Sequence, residues 1–167
     1  MIYFLHAIAG GPVKIGNSDL PEKRRGTIDT LFPYGVEIIA TVPGGRIGEA
    51  FLHHCMAPVR LRFEWFNPCV PVWKLLIDAA EGRLDFLPSE KSPTSEEIRS
   101  DAVHLFGSLE AAKDALGYSR GTPIGQTFGP SFTISAKLAF HMALVEGRLP
   151  PYIAELHARR LPAVEAA

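Results

Sequence analysis

The chain has 167 residues, and 17 Lys and Arg against 18 Asp and Glu give a formal net charge of -1. That balance excludes a global electrostatic pull toward nucleic acid, so any such contact has to come from a local basic patch. An apolar content of 47% is ample for one ordinary domain or two small ones. The only cysteines, Cys55 and Cys69, fit neither a disulfide framework nor a paired zinc knuckle and point to a reducing cytoplasm. No apolar run reaches bilayer length, which predicts a soluble chain without a membrane partner.

In chain order, Ile2 to Ile8 is a short apolar run that predicts a buried strand. Gly10-Gly11-Pro12 then turns the chain, and Val13 to Gly16 completes a hairpin. Ser18 or Asp19 is placed to cap a helix with Pro21 and Glu22 in its first turn. This helix runs through Arg24 toward Ile28 and Leu31 and stops at Pro33. Val36 to Val42, rich in β-branched residues, predicts a third strand closed by Pro43-Gly44-Gly45. A second helix over roughly Ile47 to Met56, broken by Pro58, puts Glu49 and His53 on one face.

Arg60, Arg62 and Glu64 interleave with apolar residues before a short Trp65-Phe66 strand, and Trp73 to Ala80 predicts a third helix. Compactness is expected to end near Gly82. Pro88 to Ser95 has the Pro, Ser and Glu content of a linker. Beyond it, Glu96 to Phe106, Leu109 to Leu116 and Ile134 to Glu146 have helical spacing, with glycines at 107, 117 and 147 where helix ends fall. The Ala-rich tail after Arg160 is expected to fray.

Ile2-Tyr3 on the first strand, Lys14-Ile15-Gly16 on the second, Arg24 on the first helix and Glu49 on the next resemble, in order and spacing, the motifs of the GIY-YIG nucleases. The likeness is closest to a phage and bacterial branch that reads Lys-Ile-Gly in its second motif. That branch opens its first helix with Pro-Glu-Lys-Arg, matched by Pro21 to Arg24, and its second after Gly-Gly-Arg, matched by Gly44 to Arg46. Leu52-His53 and Glu64-Trp65-Phe66 match two further segments, so that roughly the first half of the chain is covered. Met1 stands where the leading glycine would be, Lys14 replaces the first tyrosine of the second motif, and the asparagine of several members has no counterpart.

The resemblance implies an α+β fold in which a small GIY-YIG-like sheet flanked by helices spans residues 1–86. A linker would occupy 87–95 and an all-helical domain 96–160. It implies DNA as partner, Mg²⁺ or Mn²⁺ as cofactor and phosphodiester hydrolysis as the reaction, which requires an activated water, a cation on the developing charge and a stabilised leaving oxygen. Glu49 is the hard oxygen ligand for the metal, and Arg24 is the phosphate clamp. Tyr3 is the expected general base or its partner, with its pKa of about 10 lowered by Lys14; Lys14 either does this or touches the phosphate. His53 either donates to phosphate or holds a metal-bound water.

Arg25, Arg60 and Arg62 are candidate DNA contacts, although a solvated helix face and an alternating strand explain them as well. Trp65 reads as core. Leu109 to Gly125 resembles a helix-turn-helix reader, which would aim Arg120 and Thr122 at the groove. The same helices also suit a bundle that braces the first domain or dimerises, with Ile134, Leu138, Met142 and Val145 as its stripe. Besides the endonuclease, the sequence allows a DNA-binding or regulatory protein that keeps the fold without the reaction.

Overall fold

Every side chain of β1 (Ile2–Ala7) except His6 is buried, a pattern that requires cover on both sheet faces. In the computed structural model, which describes residues 1–119 and 121–158, β1 pairs on one side with β2 (Val13–Asn17) and on the other with β3 (Val36–Val42). A hairpin of β4 (Arg60–Arg62) and β5 (Trp65–Phe66) completes a five-stranded antiparallel sheet ordered β3-β1-β2-β5-β4. Ile2, Phe4, Val13, Ile15, Ala40 and Val42 line one face and pack with α2 (Arg46–Cys55) and α3 (Val70–Ala80). Tyr3, Leu5, Ala7 and Val36 line the other, against Ile28 of α1 (Pro21–Asp29). With eight helices among the described residues, the fold is α+β, a sheet flanked by helices.

Several boundaries differ from the sequence expectation. Neither Ser18 nor Asp19 caps α1: Leu20 is its N-cap, and Ser18 Oγ instead accepts from the Leu20 N–H at 3.1 Å. The third helix begins at Val70 rather than Trp73, because Pro71 fits a first turn that needs no N–H donor there. Packing continues past Gly82, since Leu84 and Phe86 are buried in the core shared by the sheet, α2 and α3.

After an irregular stretch, a capping box restarts helical structure. The Glu97 N–H donates to Thr94 Oγ1 at 3.2 Å and Glu97 Oε2 accepts from the Thr94 N–H at 2.7 Å, opening α4 (Ser95–Phe106). Then follow α5 (Leu109–Ala115), α6 (Ile124–Thr127), α7 (Phe132–Val145) and α8 (Pro151–Ala158), of which α8 lacks a sequence-based expectation and α6 starts only at Ile124, beyond the Thr122 that the helix-turn-helix resemblance would put on its second helix. Gly107, Gly117 and Gly147 adopt φ of 79°, 75° and 66°, the left-handed conformation that closes a helix. Ile134 and Leu138 of α7 pack with α4 and α5, whereas Ala136, Phe140 and Ala143 enter the core of the sheet. Hydrophobic packing therefore runs across the 87–95 segment through α7. No helix among the described residues is long and apolar enough to cross a membrane, and the tail expected to fray after Arg160 lies outside them.

Where α2, α7 and α8 meet, the Phe140 ring is surrounded by His54 and His157, each with ring centroids 4.6 Å away, and by His141 at 5.6 Å. His157 Nε2 also donates to the Cys55 carbonyl at 2.9 Å. Burial first, then the neighbouring His141, His157, Lys137 and Arg60, lowers the His54 pKa to about 4 from an ordinary 6.5. The unfolded chain therefore binds more protons than the folded one between those values, and stability present above pH 6.5 drains away as pH falls toward about 4. Urea midpoints should fall across this window and fall less steeply in a His54→Phe variant; equal slopes for the two proteins would contradict this account.

Candidate active site

Directly opposed residues of an antiparallel pair share a face, so the pairings of Tyr3 with Gly16 and of Leu5 with Lys14 put Tyr3, Lys14 and Gly16 together on the α1 side. The hydroxyl end of the Tyr3 ring sits against Gly16. A Cβ at position 16 would stand 2.5 Å from Tyr3 Cζ and 3.0 Å from Cε2, closer than carbon atoms pack, so the buried tyrosine requires a glycine opposite it. Beyond the glycine, the Arg24 guanidinium of α1 comes near enough to the Tyr3 hydroxyl to pull its pKa down.

The rest of the site depends on how short β5 is. It pairs with β2 only at Val13 and Lys14, so the outer edge from Ile15 to Asn17 has no strand beside it. The Ile15 N–H donates to the Glu64 carbonyl at 3.1 Å, and the Ile15 carbonyl accepts from His53 Nε2 at 2.8 Å. The Asn17 N–H lies near enough to the Glu49 carboxylate to stabilise its charged form. In this way α2, which packs on the opposite sheet face, brings Glu49 and His53 round to the edge beside Lys14. Gly48 permits the approach, because a Cβ there would meet Ile2 Cδ1 at 2.9 Å. Asn17 Nδ2 fixes the corner by donating to the Met1 and Gly44 carbonyls, each at 3.0 Å.

Electrostatics tie the four groups together. Burial, helped by Arg24, brings the Lys14 amine down to about 8 against the opposing Glu49 carboxylate. Lys14 also forms an ion pair with Glu64, so it carries its proton at neutral pH. Burial pushes the Glu49 carboxyl above its usual range, while Lys14, the Asn17 N–H and Arg46 pull it back. For Tyr3 the expected depression does not occur. Burial raises its pKa above 10 despite the hydrogen bond and charge of Arg24, so it is a neutral phenol that can donate a proton but does not stand ready to accept one.

His53 is also neutral at pH 7, its pKa lowered to about 4 chiefly by burial. Its Nε2 proton is used on the Ile15 carbonyl, which makes it a brace for the sheet edge. Arg25 is engaged by Glu22 at 3.1 Å, and Arg60 donates to the His53 carbonyl at 2.8 Å with its guanidinium 5.5 Å from the Phe66 ring. Arg62 lies over the exposed ring of Phe63. Trp65 packs against Phe32 at 5.0 Å, as expected of a core residue. Arg120 lies outside the described residues. Thr122 is in a turn, its hydroxyl 2.9 Å from Ser119 Oγ, and the helix that follows, α6, has four residues starting at Ile124. The described part of this segment thus supplies no recognition helix at Thr122, in keeping with Gly121, Pro123 and Gly125 as poor helix formers.

Compared with known proteins, the chain matches no family model, no curated protein and no solved structure. Its chemistry has to be argued from the geometry above. That geometry adds two residues that sequence reasoning passed over as site members, Glu64 and Asn17. Glu64 stands beside Phe63 in the hairpin turn, and Asn17 follows Gly16 directly, but neither its partner nor its edge position is encoded locally.

A Gly16→Ala substitution should displace the Tyr3 ring and cost on the order of 1–3 kcal/mol through overpacking. Urea unfolding reads the loss; an unaltered midpoint would mean that the ring can move aside at no cost.

Proposed function

We propose that this protein is a divalent-metal-dependent endonuclease that hydrolyses phosphodiester bonds in DNA. The observation that carries the reading is the meeting of Tyr3, Lys14, Arg24 and Glu49 at one open sheet edge, close enough that Arg24 and Glu49 act on the protonation of Tyr3 and Lys14, and Lys14 on that of Glu49. The ordered motifs that resemble the GIY-YIG nucleases support it. An adjoining groove of about 350 Å³, lined in part by Lys23, Arg24 and Thr27, offers a phosphate backbone a path to that edge.

Arg24 is exposed and presents a planar fork that fits two phosphate oxygens. Lys14 supplies a second positive charge once a phosphate displaces Glu64. Tyr3 stands beside Arg24 and offers its hydroxyl proton to a phosphate oxygen. Glu49 fits a hard cation that keeps most of its waters, because such an ion needs only one or two carboxylates and Glu49 is half-buried at the site. Among the described residues no set of three His, Cys, Asp or Glu side chains converges, so the substrate phosphate would have to complete the coordination. When bound, the ion would polarise the phosphate and lower the pKa of a water.

A second reading, DNA binding without cleavage, draws on the same site: a raised tyrosine and a lysine engaged by Glu64 serve phosphate binding without providing a ready base. Supercoiled plasmid with Mg²⁺ separates the two. The endonuclease should nick it, EDTA should abolish nicking, and Arg24→Ala or Glu49→Ala should each slow it on the order of 10²-fold or more. Nicking that persists unchanged in the double variant overturns the assignment, whereas retained DNA binding with no metal-dependent cutting by any form favours the second reading.

Phosphate binding should also weaken as pH rises through about 8, where Lys14 loses its proton. Anisotropy titrations of labelled DNA at fixed salt would show the rise in Kd. Lys14→Arg, which cannot lose its charge, should flatten it, and an equally steep rise in that variant would exclude Lys14 as the cause.

A further inference from the structure

The β4–β5 hairpin presents a feature that phosphodiester hydrolysis does not require. Its tip carries Phe63 with 71% of its surface exposed, next to Leu61 at 59%. All of β4 is exposed, at the outer edge of the sheet. Phe63 adopts φ of 52°, a left-handed conformation that favours glycine and disfavours a large side chain. An isolated exposed aromatic calls for no explanation. Here a ring is kept where both solvent and backbone disfavour it, and the Arg62 guanidinium lies 4.8 Å from its centroid.

The tip is also fastened to the candidate site. Glu64, the next residue, pairs with Lys14 through its carboxylate and accepts from the Ile15 N–H through its carbonyl at 3.1 Å. Phe63 therefore stands one residue along the chain from the carboxylate that pairs with Lys14. Arg60 and Arg62 supply positive charge along the same edge. An aromatic face with an adjacent guanidinium and flanking cations suits an unpaired base, whose π-face stacks while its phosphates are neutralised; a base inside a duplex has both faces covered.

Resting on the DNA-binding reading of the adjacent site, we propose that the Arg62–Phe63 tip is a stacking platform for an unpaired DNA base, so that the favoured ligand is a strand with an extruded base rather than a continuous duplex. The tip acts as a specificity element beside the phosphate-binding groups and takes no part in proton transfer.

The test uses the full chain in EDTA with two labelled duplexes of equal length, one fully paired and one carrying a single unpaired 2-aminopurine. Wild-type protein should bind the second about tenfold more tightly and quench its fluorescence. Phe63→Gly, which suits the left-handed backbone and so leaves folding intact by circular dichroism, should bind both duplexes with the affinity of the paired one and lose the quench. Phe63→Trp should restore both. Equal binding of the two duplexes by wild type, or a preference and quench that survive in Phe63→Gly, would overturn the platform while leaving the DNA reading in place. Failure of wild type to bind either duplex would remove that underlying reading as well.

Discussion

Main-chain groups at a sheet edge need partners, and β2 runs out of neighbouring strand after Lys14. The groups left over at Ile15 are answered by the Glu64 carbonyl and the His53 ring, and the Asn17 N–H stands near the Glu49 carboxylate. Were β5 two residues longer, it would pair with that edge, and α2 could not reach round to it. The two-residue strand is thus what lets one helix on the far face and one on the near face serve the same spot. It also leaves the hairpin turn free to project Phe63 while Glu64 ties it to Lys14.

Within this arrangement, fold and chemistry draw on the same residues. Tyr3 is fully buried in the core on the α1 face, and its position depends on the absence of a side chain at Gly16. Because burial dominates, its hydroxyl stays protonated, and the nearby Arg24 does not turn it into a phenolate. Lys14 is 5% exposed yet charged, a cost met by the Glu64 and Glu49 carboxylates.

The helical half is joined to the sheet through α7, which presents one side to α4 and α5 and another to α2. Phe140 and its three histidine neighbours sit at that junction, and one of them, His54, directly follows His53 on α2. The helix that carries Glu49 is therefore clamped between the sheet edge and a histidine-lined aromatic contact. This gives the second half a bracing role that follows from packing.

Local sequence determined much of the fold. The apolar run of β1, the β-branched run of β3, the Gly10-Gly11-Pro12 turn and the glycines that end α4, α5 and α7 all act over a few residues, and each appears where those short-range preferences put it. Glu49 and His53 share a helix face for the same reason. What only the tertiary structure decided lies across long separations. The start of α1 was set without a side-chain cap, packing continued through Leu84 and Phe86, and α8 formed against α3 and the sheet core. The partner of Lys14 is 50 residues away and that of His53 is 38 residues away, so neither is written in local pattern. Protonation was decided there too: the charge beside Tyr3 is legible in sequence, but burial, which outweighs it, exists only once the sheet has closed around the ring.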